Sequence, residues 1–240
     1  MSAATLALRI DAPMQSWGLR SKFVSRDTAA EPTKSGVVGL LAAACGIGRG
    51  ERARIQEIAA LRMGVRVDQE GLVERDFHVT ENVPNTYGRN HRTVVSDRYY
   101  LAGAVFLVAL EGSSEFLQTL ADGVQRPAWP LYFGRKAFVP ARPLVESREE
   151  RRRQVGTGVL HEPLETVLHT HPFLLDDDVR AQGYDSGELL RFVIDTVPED
   201  PRAELRHDHP LSFASRTFES RTVRVDHEAI EPSTGGAGCS

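Results

Sequence analysis

"EPTKSGVVGLLAAACGIG" (Glu31–Gly48) decides how the first half of the chain is read. Val37, Leu40, Leu41 and Ala44 recur at i, i+3, i+4 and i+7, the period of a helix with one apolar face. Thr33 or Ser35 is placed to cap its start, and Gly46 or Gly48 to end it. Lys34-Ser35-Gly36 raises a second reading. A helix start offers free N–H groups and the positive end of a dipole, a natural phosphate site. A Walker A loop is excluded, because it needs G-x-x-x-x-G-K-[ST] and "DTAAEPT" before Lys34 has no glycine. Two readings stay open: a plain capped helix, or a helix start that meets a backbone phosphate of a nucleic acid.

Working outward, "TLALRID" (Thr5–Asp11) alternates as a strand does. "APMQSWG" ends it, and a polar loop with Arg20, Lys22 and Arg26 leads to the helix. Downstream, a second helix is expected over Glu51–Leu61 and a short strand over Met63–Asp68, with Leu72–Val79 as its partner across Gly71. Residues 80–98 break the pattern: Pro84, Asn85 and Gly88 are turn formers, and Tyr87, Arg89, His91, Arg92 and Arg98 give a basic, aromatic rim. This predicts a protruding loop or hairpin. "YYLAGAVFLVAL" (Tyr99–Leu110) reads as one long central strand, Ser113–Asp122 as a helix, and Pro130–Leu144 as a strand punctuated by Gly and Pro. The order β-α-β-(insert)-β-α-β is that of a ferredoxin-like α+β fold, which RRM-type RNA binders share.

Beyond Leu144 the pattern weakens. Ser147–Gln154 is a charged helix or linker, Asp176–Asp178 an acidic loop, and Leu189–Val197 and Arg221–Ile230 are strands. The division expected is a domain at 1–145, a smaller, variable β-rich region at 146–232 and a flexible tail at 233–240.

The chain has 240 residues, 41% hydrophobic and 26% charged, an ordinary globular balance. It has no apolar run of membrane-spanning length and no signal-peptide pattern at its start. Cys45 and Cys239 cannot make a disulfide framework, so a cytoplasmic location is expected. The net charge of −4 hides an asymmetry. Residues 154–240 hold 7 basic and 16 acidic groups, leaving 22 basic and 17 acidic in residues 1–153. A basic surface for a polyanion fits the first part; ordinary surface variation fits as well.

"YFGRK" (Tyr132–Lys136) combines aromatics, a glycine and two cations: Tyr132 for a base, Gly134 for close approach, Arg135 and Lys136 for phosphates. A surface turn with a buried Phe133 is the alternative. His169-x-His171 and His207-x-His209 lack a third ligand at zinc spacing, so no metal site is expected. His78 with Arg75, Tyr87 and His91 could compose a metal-independent ribonuclease centre. Hydrolase and metalloprotease signatures are absent, and no cofactor is implied.

Four blocks in order, "LRIDAPMQSWG" (Leu8–Gly18), "PTKSGVVGLLAAACGI" (Pro32–Ile47), "LYFGRKAFVPARPL" (Leu131–Leu144) and "FASRTF" (Phe213–Phe218), resemble the CasD family of RAMP-type proteins from type I-E CRISPR Cascade complexes. The resemblance implies a non-catalytic subunit. It would have a ferredoxin-like domain with a β-hairpin thumb at about residues 80–98, and it would cap the 5′ handle of the CRISPR RNA. Implied partners are the CasC backbone subunit, the CasA large subunit and, through the assembled complex, target DNA. A related type I-C branch cleaves repeat RNA, which keeps the endoribonuclease as the alternative. On this resemblance the RNA contacts are expected at Gln15, Trp17, Arg20, Lys22, Arg26, Lys34, Ser35, Tyr132, Gly134, Arg135, Lys136 and Arg216.

Overall fold

The computed structural model describes residues 4–19, 25–146, 156–175 and 189–229. The expectations for Arg20, Lys22, Ser147–Gln154, Asp176–Asp178 and the tail lie outside these residues. In chain order the elements are β1 (Ala4–Asp11), β2 (Met14–Gln15), β3 (Ser25–Arg26), α1 (Lys34–Ala44), α2 (Arg52–Ala59), β4 (Arg62–Gln69), β5 (Leu72–Val83) and β6 (Arg92–Ala102). They continue with β7 (Val105–Gly112), α3 (Ser114–Gln125), β8 (Gly158–Leu160), α4 (Leu164–Thr170), β9 (Leu190–Asp195), β10 (Ala203–Ser212) and β11 (Thr217–Glu228).

Two sheets organise the molecule. The larger is antiparallel throughout, in the order β10-β11-β9-β4-β7-β1-β8. The smaller is built on β6, which carries β5 on one side and β2 and β3 on the other. Both faces of the central strands of the large sheet are covered. Leu6, Leu8, Ile10, Phe106, Val108 and Leu110 pack in one core with residues of α1, α2 and α3, including Leu41, Ile55 and Leu117. Ala7, Leu107, Ala109, Phe192 and Ile194 pack in another with Leu164, Val167 and Leu168 of α4. β7 is therefore apolar on successive residues from Val105 to Leu110, as a doubly covered strand requires, while β1 keeps its alternation, with Thr5, Ala7 and Arg9 on the second face.

The helix expected at Glu31–Gly48 forms as α1. Thr33 caps it by accepting from the Gly36 N–H at 3.3 Å, and Gly46, at φ +67°, ends it. Other expectations need correction. Tyr99–Leu110 is two strands in two sheets, because Gly103 at φ +72° turns the chain and donates to the Pro13 carbonyl. β5 does not pair with β4, whose two edges are taken by β7 and β9. Pro130–Leu144 forms no strand. Its prolines remove ladder donors, so it meets β1 only through single hydrogen bonds at Arg9 and Asp11, and the paired ladder on that edge, at Thr5–Ala7, belongs to β8, past residue 145. β10 stands where the sequence suggests only a connection, and Pro210 is tolerated in it as the outermost strand of its sheet.

One buried ion pair anchors the second face. Arg66 Nε and Nη2 donate to the two carboxylate oxygens of Asp68 at 2.6 and 2.9 Å. The remaining guanidinium hydrogens reach the carbonyls of Leu168, His171 and Pro172. The pair thus holds the end of α4 and the chain after it.

Candidate nucleic-acid interface

The sequence blocks meet in space, but as a buried joint. The Gln15 side chain is fully buried, donates from Nε2 to the Ala104 carbonyl at 2.7 Å and accepts from Trp17 Nε1 at 3.2 Å. The Trp17 indole is 2% exposed and lies 5.7 Å, centroid to centroid, from the Phe133 ring. It rests on α1 at Gly36, where any Cβ would come within 2.8 Å of the ring. Gly134, at φ +86°, closes the joint: a Cβ there would stand 1.9 Å from the Ser16 carbonyl oxygen. The close approach expected at Gly134 is real, but it is to Ser16, and Gly36 is likewise close to Trp17. Gln15 and Trp17 are corrected from RNA contacts to structural residues, because neither presents a surface.

Lys34 requires the same correction. Its ammonium is buried and donates to Asp195 Oδ2 and to the Leu61 carbonyl, both at 2.7 Å. Its backbone N–H donates to Asp208 Oδ2 at 2.8 Å. An anion does occupy the helix start, and it is a carboxylate of β10. Arg221 of β11 completes the cluster, bonding Asp208 at 2.7 Å and also Asp195. Burial lowers the Lys34 pKa, against the raising influence of Asp195. Burial also acts to raise Asp195, yet Arg221 and Lys34 outweigh it and hold the carboxyl below its usual range. Ser35 follows on the first turn of α1, half-buried.

A different set of cations converges where β5 and β6 leave the body. Arg26 of β3 is in direct register with Arg98 of β6, and Asp76 of β5 faces Arg98 from the other side. Arg135 reaches over from the loop after Phe133. Its Nη2 donates to the Tyr99 carbonyl at 2.7 Å, and its guanidinium lies 5.0 Å from the Phe138 ring centroid. Burial and the adjacent Arg98 push the Arg135 pKa down, against a weaker pull from Asp76. Like charges held together in this way favour an anion between them. Tyr132 is half-buried, Lys136 is exposed beside this group, and Tyr100 packs on Phe138 with centroids 5.7 Å apart. Arg26, Arg135 and Lys136, expected from sequence, are thus joined by Arg98, which the sequence alone places on the thumb. The register of β3 on β6 makes this grouping, and no local pattern announces it.

The expected thumb is a hairpin, longer than the 80–98 segment, running from Leu72 to Ala102. Its tip carries Tyr87, 85% exposed, with Arg89, His91 and Arg92 also exposed. Asn85 orders the tip by accepting from the N–H groups of Tyr87 and Arg89. Arg216 stands exposed on the β10–β11 turn at φ +54°.

The ribonuclease grouping is not assembled. His78 lies opposite Ser96 and 3.9 Å from Asp76, on the face of β5 that Arg75 does not share. Tyr87 belongs to the exposed tip and the His91 ring bonds the Asn82 carbonyl, four residues along the strand from His78, so neither joins it. Of the paired histidines, His169 stacks on Phe192 and bonds Glu228, His171 is buried, and His207 bonds Ser220. Among the described residues no group of three or more His, Cys, Asp or Glu could hold a metal. No helix among them is long and apolar enough to cross a membrane.

With both arrangements in view, comparison with known proteins gives the class first: the chain is CRISPR-associated. The family described as CRISPR-associated protein (Cas_Cas5) matches residues 5–226, and the chain belongs to that family. It is similar to the CRISPR system Cascade subunit CasD of Escherichia coli (strain K12), 29% identical over 227 residues, covering 89% of this chain and 93% of that one. A solved structure titled CRISPR RNA-guided surveillance complex contains a chain 31% identical, with a TM-score of 0.72 and coverage of 96% and 95%. Another, titled Crystal structure of Cas protein, is 37% identical, with a TM-score of 0.70 and coverage of 94% and 95%.

Proposed function

We propose that this protein is a non-catalytic subunit of a Cascade-type, RNA-guided antiviral complex and that it caps the 5′ handle of the CRISPR RNA. The observation that carries the reading is the convergence of Arg26, Arg98 and Arg135 at the hairpin root, with Lys136 beside them. Three guanidiniums facing one carboxylate, Asp76, suit the phosphates of a single strand, and Tyr132 and Tyr100 offer planes for unstacked bases. The hairpin acts as the thumb toward a CasC-type backbone subunit, and a CasA-type large subunit meets another face. Target DNA is reached through the assembled complex. We read the β4-β7-β1-β8 part of the sheet as ferredoxin-like; the crossovers β1-α1-α2-β4 and β7-α3-β8 support this, since each returns to a parallel, non-adjacent strand.

Crosslinking from a photoreactive 5′-handle RNA in the reconstituted complex tests the site. Adducts should fall on Tyr132, Tyr100 or the residues flanking Arg98. Adducts confined to the β10–β11 turn would move the site to Arg216. Intact repeat RNA after incubation with the purified chain is expected; a specific cut would overturn the non-catalytic reading.

A further inference from the structure

We propose that the free chain pairs with a second copy of itself along the outer edge of β5. Only β6 bonds to β5 among the described residues, so the other edge of a twelve-residue strand is open. Leu72, Val73, Phe77 and Val79 on it are 71, 64, 63 and 46% exposed. Monomers usually blunt such an edge with charged side chains, above all lysine, with proline or with a bulge. From Leu72 to Thr80 there is no lysine or proline, the charged residues Glu74, Arg75 and Asp76 are of mixed sign, and the register shift comes only after Thr80. RNA is a poor cover for this surface. Phe77 alone offers a base a plane to stack on; leucine and valine offer none, and open N–H and C=O groups are best matched by another strand.

The strand is complementary to itself in one register. Two antiparallel copies related by a two-fold axis through Phe77 keep each residue on its own face of the joined sheet. On one face Phe77 meets the second copy's Phe77, flanked by Arg75 opposite the second copy's Val79. On the other, Asp76 falls opposite the second copy's His78, and Glu74 opposite its Thr80. No like charges face each other. Centring the axis on Asp76 or on Arg75 would set that charge against its own copy, which is unfavourable across a strand pair. The result is a continuous β6-β5-β5-β6 sheet in which the open backbone edge is paired and the two exposed Phe77 rings meet. The pairing does not rest on the RNA-capping reading, since it uses the open edge of β5; the two surfaces meet at Asp76, which faces Arg98 across β5 and β6.

Sedimentation of the full-length chain without RNA or other subunits, over a concentration series, reads the association. A monomer–dimer equilibrium is expected, with Phe77→Lys weakening it at least about tenfold, since the ring pair is gone and like charges meet at the axis. Phe77 is exposed, so an unchanged melting curve will show that the variant folds. In a chain carrying Cys45→Ala and Cys239→Ala, Phe77→Cys should form an interchain disulfide on mild oxidation and Tyr87→Cys, at the tip, should not. A monomer at every concentration, a dimer untouched by Phe77→Lys, or equal crosslinking at both positions would overturn the proposal.

Discussion

Lys34 and Arg135 each belong to a short motif of glycine and cation, and the structure uses them in opposite ways. Lys34 is sealed between Asp195 and the Leu61 carbonyl at the start of α1. Arg135 is held half in and half out, braced on Phe138 and the Tyr99 carbonyl beside Arg98. A buried cation needs a full set of partners, because burial without them costs several kcal/mol. A cation meant for a polyanion must keep part of its charge uncommitted. The motif that most resembles a phosphate site is thus scaffold, and the arginines spread over β3, β6 and the 132–138 loop form the candidate interface.

The sharpest way to break this contrast is to remove charge inside the joint. Lys34→Ala or Asp195→Asn leaves buried charges without a partner and should cost about 3–5 kcal/mol of stability. Urea unfolding checks it, and a loss near zero would put Lys34 back among the surface residues. The pH dependence follows from the direction of the Asp195 shift. Its carboxyl is held below its unfolded value of about 3.9. Its contribution is therefore present at neutral pH and lost as the pH falls through about 4 and below. Unfolding midpoints should drop less steeply with acid in Asp195→Asn than in the wild type.

Next in size is Gly134→Val. It combines a left-handed backbone with a Cβ aimed at the Ser16 carbonyl, and a loss of about 2–3 kcal/mol is expected. RNA binding by whatever fraction stays folded should keep its salt dependence, since Arg26, Arg98, Arg135 and Lys136, the cations proposed to meet phosphates, are all retained.

The opposite result is expected at the hairpin root. Arg26→Ala with Arg98→Ala should change stability by no more than about 0.5 kcal/mol each. It should lower the slope of log affinity against log salt by about 0.7 for each phosphate of a single strand that is no longer neutralised. An unchanged slope would show that the cluster does not meet RNA.

The residues that made the fold legible were those whose signal is local. The i, i+3, i+4 period of α1, the Thr33 cap and the turn formers at Pro84, Asn85 and Gly88 each depend on neighbours in sequence. The interface was legible only in pieces. Arg26, Arg135 and Lys136 could be suspected one by one, but Arg98 joined them through a strand register that sequence spacing does not carry. Trp17 and Lys34 misled for a physical reason: an aromatic and a cation look the same whether they wait for RNA or satisfy a neighbour inside the protein. The glycine opposite each ring or carbonyl was the available hint of burial, and it can be read as closeness to RNA or to protein alike. β8 escaped because three residues cannot show a period, and β10 because Pro210 interrupts a strand pattern in a way that only an edge position allows.

The smallest effect on stability is expected at the hairpin tip. Arg89→Ala with Arg92→Ala touches exposed side chains far from either core, so the melting temperature should not move. Tyr87, Arg89 and Arg92 still form an exposed aromatic and basic tip that Asn85 holds in shape. If the tip works as a thumb, the double variant should weaken incorporation into the RNA-bound complex while the root keeps its affinity for free handle RNA. Comparing the two assays separates tip from root. Loss in both would mean that the RNA path runs the length of the hairpin, and loss in neither would leave the arginines at the root as the whole of the interface.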